Sequence, residues 1–196
     1  MSETQIVGIS GPSGSGKTTL TKTLAEMTED SIPVFFDEYD AVTTGPDAFN
    51  QWLVDGADYN AWQCNQLASD LLDLKSGRLI THPVSRQIHQ PASTILFDAP
   101  LGYANDALGD LIDTMVYLDT PLDIAMARRL IRGAEDTPGT LLASEMQDYL
   151  AYGRKCYLVM DRVIKPACNH VVDGSLGVDV LARRIISLIG LETKRV

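Results

Sequence analysis

The chain has 196 residues, 45% of them hydrophobic, which suits one α/β domain (1–196) with a full core and no linker-like stretch to divide it. Sixteen Lys and Arg against 26 Asp and Glu leave a net charge of −10, a balance that argues against any long contact with a nucleic-acid backbone. No apolar run approaches membrane-spanning length, and residues 1–5 lack the basic patch and apolar core of a signal peptide, so a cytoplasmic protein without a membrane partner is expected.

The first strand signal is the apolar run at 6–9. It leads directly into Gly11-Pro12-Ser13-Gly14-Ser15-Gly16-Lys17-Thr18-Thr19, a complete phosphate-binding loop. Gly11 and Gly16 stand where the backbone must wrap a phosphate chain so closely that a Cβ would collide with it, and the amides of Ser13, Gly14 and Ser15 then point inward as an anion nest. Lys17 reaches the β- and γ-phosphates, Thr18 offers its hydroxyl to Mg²⁺, and the helix continuing through Thr19 turns its positive end to the same anion. The ligand class is therefore a nucleotide.

The helix predicted over 18–27 carries Leu20, Leu24 and Met27 on one face. A second strand is predicted at 33–36, a helix over 62–74 with Leu67, Leu71 and Leu74 on one face, and further strands at 95–97 and 115–118. These runs are continuous rather than alternating, as in parallel strands buried on both faces. Thr120-Pro121-Leu122-Asp123 supplies a capping residue, a proline for the first turn and an acid, so a helix is predicted to begin at Pro121. Helices over 141–160 and 178–191 flank a last strand at 170–172. Strand and helix alternate throughout, which predicts a doubly wound parallel sheet with ligands at the carboxyl ends of its strands.

Three acids stand directly after strand signals: Asp37, Asp98 and Asp119. Phosphoryl transfer to an alcohol needs a carboxylate to orient the attacking hydroxyl, a metal-bound nucleotide and cations on the transferred group. Asp98 reads as a Walker B aspartate acting on Mg²⁺, with Asp119 ranked second. Arg128, Arg129 and Arg132 supply cations near the end of the helix from Pro121. They lie beside residues 133–140, a segment with glycine at both ends that is expected to form a short lid at about 128–140. Cys64, Cys156 and Cys168 lack CxxC spacing and read as reduced thiols, and the three scattered histidines give no protein-only metal site.

The chain resembles the uridine kinase and phosphoribulokinase group of P-loop kinases. The resemblance is carried by residues 9–19, by Asp37-Glu38-Tyr39-Asp40 after the second strand, by Leu74-Lys75-Ser76-Gly77-Arg78 with Pro83, by Asp98, by 118–123 with the three arginines, and by 163–166 and 171–174. It implies a three-layer P-loop NTP hydrolase fold, with a five-stranded parallel sheet of the nucleoside monophosphate kinase type. It also implies ATP and Mg²⁺ as cofactors, Asp37 as catalytic base and the arginines as lid residues. The chain departs from the group at Arg132-Gly133, where an Arg-Asp pair is usual, at Thr137-Pro138-Gly139, where a Gly-Arg is usual, and at Val84-Ser85-Arg86, where uridine kinases show a Tyr-Asp pair.

The acceptor is expected to be a small molecule with a hydroxyl. From Asp37 to Asp98 there are three basic residues against nine acidic ones, so an uncharged or cationic alcohol fits better than a sugar phosphate. Trp52, Tyr59, Trp62 and Tyr103 are available to stack on a planar ring. The alternative reading is a nucleotide-operated switch without an acceptor, although the Asn-Lys-x-Asp segment of guanine-specific switches is absent. The sequence leaves the oligomeric state open, a homo-oligomer included.

Overall fold

The computed structural model describes residues 4–136 and 139–194. Five strands, β1 (Gln5–Ser10), β2 (Ser31–Phe35), β5 (Thr94–Asp98), β6 (Thr114–Asp119) and β7 (His170–Asp173), form one parallel sheet in the order β2-β5-β1-β6-β7. A separate two-stranded hairpin pairs β3 (Ile80–Thr81) with β4 (Ile88–His89). This is the parallel sheet that the alternating pattern predicts.

The alternation of side chains explains why the strands read as unbroken apolar runs. Val7 and Ile9 of β1, Leu96 of β5 and Val116 and Leu118 of β6 face one layer. There they pack on Leu20 and Leu24 of α1 (Lys17–Met27) and Leu181 and Ile185 of α8 (Val178–Ile189). Ile6, Ile95, Phe97, Met115 and Tyr117 face the other layer, against Leu67, Leu71 and Leu74 of α3 (Asn65–Lys75) and Met160 of α7 (Arg154–Val163). Both faces are covered, so the central positions of these strands are apolar on either side and the polar residues fall at the strand ends. Gly8 keeps the second layer close, because a Cβ there would lie 2.7 Å from the Met115 side chain.

Several elements differ from the sequence expectation. The loop expected at 133–140 is helical where it is described. α5 (Leu122–Asp136) runs on past the arginines and α6 (Gly139–Asp148) begins immediately afterwards, while residues 137 and 138 of the expected lid lie outside the described residues. The helix expected over 141–160 is α6 and α7 joined by a π-helical turn, Tyr149–Gly153. Helix α5 spans Leu122–Asp136, and the Pro121 carbonyl accepts its first bond from Ala125 N (3.0 Å), so it begins where the Thr-Pro signal places it, while the Thr120 hydroxyl donates to the Ser15 carbonyl (3.3 Å). The short helices α2 (Phe49–Val54) and α4 (Asp106–Gly109), and the β3–β4 hairpin, had no expectation. Among the described residues no helix is long and apolar enough to cross a membrane.

Candidate active site

The phosphate loop leaves β1 at Ser10 and enters α1 at Lys17. Gly11 (φ +146°), Gly14 (φ +84°) and Gly16 (φ +102°) all occupy the positive-φ region, the conformation that turns successive amides toward one side. A Cβ on Gly11 would lie 2.9 Å from the Leu118 carbonyl and from Ser15 Oγ, and one on Gly14 would collide with the Ala125 backbone of α5. Carbonyls on the outer side of the loop are satisfied from elsewhere: Ser15 O accepts from Thr120 Oγ1 and from Arg128 Nη1 (3.3 Å each). Ser15 Oγ is buried with no hydrogen-bond partner, an orphan in the middle of an anion-binding loop. The first turn of α1 has no side-chain cap, which leaves its amides to a ligand.

The sheet register brings the acids to this loop. Asp98, the last residue of β5, stands opposite Ile9 of β1 and Phe35 of β2, so it flanks the loop on one side and the Asp37 segment on the other. Its Oδ2 accepts a 2.6 Å hydrogen bond from Thr18 Oγ1. Burial raises the Asp98 carboxyl above the ordinary carboxylate range; the charge of Asp37 adds to the rise, while Lys17 and the Thr18 hydrogen bond oppose it. Lys17 Nζ donates to the Pro12 carbonyl at 3.3 Å, across the concave side of the loop.

Asp37 lies in the 3₁₀ turn Phe36–Val42 that continues β2. Behind it the buried Tyr39 donates to Asp70 Oδ2 at 2.8 Å, which ties the turn to α3. Asp37 and Lys17 line a cleft of about 640 Å³ whose far wall comes from α2, the turn at Tyr59–Ala61, the π turn and α7. Trp52, Tyr59 and Trp62 line that wall, packed on one another with ring centroids 5.2–5.8 Å apart, and Trp52 and Tyr59 are buried as part of the core. Tyr103 does not join them: its hydroxyl donates to Asn169 Oδ1. Asn105 is buried, and its Nδ2 donates 3.0 Å bonds to the carbonyls of both Tyr59 and Trp62, fixing the wall from behind.

The three arginines of α5 separate. Arg129 lines the cleft, with Nη1 on the Tyr157 hydroxyl (3.1 Å) and Nη2 on Glu145 (3.3 Å). Arg128 points the other way and grips Ser15 O and Gly174 O. Arg132 is exposed and is not among the residues that line the cleft. Asp119 is engaged by Lys165 at 2.7 Å, which leaves Asp98 as the acid beside Thr18. His89 sits on the hairpin, its ring 5.9 Å from that of His82. Glu145, Asp148, Tyr149 and Tyr152 were not anticipated in the cleft; the only sequence signal was the density of Tyr and acidic residues over 145–157.

The loop and its acid fit a magnesium nucleotide. Ser15 Oγ is a buried, unpartnered hydroxyl within the positive-φ loop, and Thr18 and Asp98 form the hard oxygen pair that Mg²⁺ takes alongside phosphate and water. Among the described residues no group of three or more His, Cys, Asp or Glu could hold a metal by itself.

Comparison with known proteins agrees with this geometry. The chain is 27% identical over 205 residues to a uridine kinase of Macrococcus caseolyticus and 26% identical over 208 residues to one of Staphylococcus epidermidis, covering 96% of this chain and 99% of each relative. Its fold is shared with a protein described as a possible uridine kinase from Bacillus stearothermophilus (TM-score 0.57, 18% identity, 88% of this chain and 90% of that one). It is shared also with shikimate kinase from Acinetobacter baumannii (TM-score 0.54, 17% identity, 95% and 93%). The sequence profile of the Phosphoribulokinase / Uridine kinase family matches residues 6–152, and the chain belongs to that family.

Proposed function

We propose that the protein is an ATP- and Mg²⁺-dependent kinase that moves the γ-phosphoryl group to a hydroxyl of a nucleoside-like small molecule. The observation that carries this reading is the phosphate loop itself, whose Lys17 lines the same cleft as Asp37 and whose Thr18 is joined to Asp98 by a 2.6 Å bond. The full-length match to uridine kinases supports a nucleoside-like acceptor.

In this mechanism the loop amides of residues 11–18 and Lys17 hold the phosphates. Thr18 and Asp98 would hold Mg²⁺, which when bound neutralises charge on the β- and γ-oxygens. Asp37 orients the acceptor hydroxyl and accepts its proton, and Arg129 faces the transferring group from the opposite wall. Arg128 acts on the loop from outside, so its part is to hold the nucleotide cradle in shape.

Coupled ADP-release measurements over nucleosides, other small alcohols and sugar phosphates test the reading. Turnover with an alcohol, abolished by Asp37→Asn while nucleotide binding persists, is the expected result. ATP hydrolysis indifferent to every alcohol would instead favour a nucleotide-operated switch.

A further inference from the structure

All but one of the polar groups of His82 are occupied in closing the β3–β4 hairpin. Its amide donates to the Gln87 carbonyl (2.8 Å) and its carbonyl accepts from Arg86 N (3.0 Å). Its ring nitrogen Nδ1 accepts from the amides of Ser85 (3.1 Å) and Val84 (3.3 Å). A nitrogen that accepts from two amides does not carry the proton, so the proton of the neutral ring stands on Nε2. The residue is 2% exposed, and Nε2 is buried with no hydrogen-bond partner among the described residues. A buried donor left without an acceptor is costly.

Glu38 stands in front of that donor. Its Oε2 lies 3.8 Å from Nε2, and because the Glu38 side chain is exposed, a small rotation closes the remaining distance to a hydrogen bond. Glu38 belongs to the 3₁₀ turn Phe36–Val42, between Asp37, which lines the cleft, and Tyr39, which is anchored on Asp70. Glu38 is not among the residues that line the cleft; it turns to the hairpin instead. The His82 ring also packs edge-on against Tyr39, with centroids 4.6 Å apart. The hairpin thus meets the turn at the two residues that follow Asp37. A 3₁₀ turn has poor hydrogen-bond geometry and little rigidity of its own, so an outside hold decides how it is set.

We propose that His82 is a positioning residue: its Nε2–H takes the Glu38 carboxylate as acceptor, and that bond holds the turn so that Asp37 faces the cleft. The consequence for phosphoryl transfer rests on the kinase reading, whereas the bond and its hold on the turn do not.

Two pairs of substitutions separate the bond from packing. His82→Asn keeps an oxygen for the Val84 and Ser85 amides and loses the Nε2 donor, while His82→Gln carries an amide N–H out to the reach of Nε2. Glu38→Ala removes the acceptor from an exposed site, and Glu38→Gln keeps an oxygen there. In ADP-release measurements with ATP, Mg²⁺ and a panel of nucleosides and small alcohols, kcat should fall about tenfold in His82→Asn and in Glu38→Ala, with KM for ATP unchanged. The double variant should be no worse than either single one, and both Gln variants should recover most of the loss. Hydrogen exchange over residues 36–42 of the full chain, with a non-hydrolysable ATP analogue and Mg²⁺ present, needs no turnover. It should speed up alike in His82→Asn and Glu38→Ala and return toward the parent rate in the Gln variants. Exchange unchanged in Glu38→Ala overturns the proposal, as do kcat losses that multiply in the double variant. The expected exchange pattern without ADP release on any alcohol supports the hold on the turn and overturns the kinase reading. Release with a kcat indifferent to Glu38→Ala keeps the kinase reading and overturns the proposal.

Discussion

Arg128 holds the carbonyl of Ser15 at 3.3 Å and, with the same nitrogen, that of Gly174 at 3.0 Å, so the nucleotide cradle is tethered to the segment that follows β7. Arg128→Ala should therefore loosen the loop and weaken ATP-analogue binding by about tenfold, the order expected for losing charge-assisted hydrogen bonds. Arg129→Ala should instead lower kcat with little change in nucleotide affinity, because its partners Tyr157 and Glu145 lie across the cleft. Calorimetric titration beside steady-state kinetics separates the two, and identical phenotypes would refute this division.

Glycine 14 and glycine 16 share positive φ but not surroundings. An alanine Cβ at Gly14 meets the Ala125 backbone, whereas one at Gly16 meets nothing within 4 Å. Gly14→Ala should cost more stability, from strain and the backbone collision together, whereas Gly16→Ala should cost the free protein only the conformational strain of about 1–2 kcal/mol, its effect on binding coming from the phosphate chain that the loop wraps. Thermal unfolding of both variants checks the order.

Burial raises the Asp98 carboxyl, so ionising it opposes folding. A carboxyl whose folded-state value lies above its unfolded one contributes stability below the unfolded value, and that contribution is lost as pH rises through the folded value. Asp98→Asn should accordingly raise Tm at pH 7, with the gain vanishing below the ordinary carboxylate range. The same substitution should weaken Mg²⁺ activation by about 10–100-fold. A variant no more stable than its parent at pH 7 would contradict the burial argument.

Tyr39 and Asp70 are both buried, and Asp70 has Gln66 as its other side-chain donor. Tyr39→Phe leaves that carboxylate short of a hydrogen bond, at an expected cost of about 2 kcal/mol. For a chain of this size the fall in Tm is about 4–8 °C. Because the turn carrying Asp37 is tied through Tyr39, kcat should drop with it.

The phosphate side of the site is legible in the sequence because it is local. One uninterrupted motif places the cradle, and strand-terminal acids follow from sheet topology. The far wall of the cleft is assembled from pieces far apart in the chain, such as Trp52 and Tyr152, and no periodic signal links them. Arg128, Arg129 and Arg132 are contiguous enough to read as one cluster, yet helical geometry sends Arg128 and Arg129 to opposite sides. Thr120 reads as a cap from its neighbours alone; its actual partner, Ser15, is 105 residues away. The glycines at 133 and 139 read as the ends of a loop, yet the described part of that segment is helical, with Gly133 inside α5 and Gly139 at the start of α6.

The π turn at Tyr149–Gly153 holds one residue more than a regular helical turn and absorbs it without breaking the helix, so α6 and α7 run on through it while Tyr149, Tyr152 and Gly153 line the cleft. Losing that residue would narrow the turn and take away part of the far wall, with the flanking helices close to their present phase and the loop, Asp37 and Asp98 still where the sheet holds them. The far wall can therefore change by a single residue independently of the segments that handle phosphate.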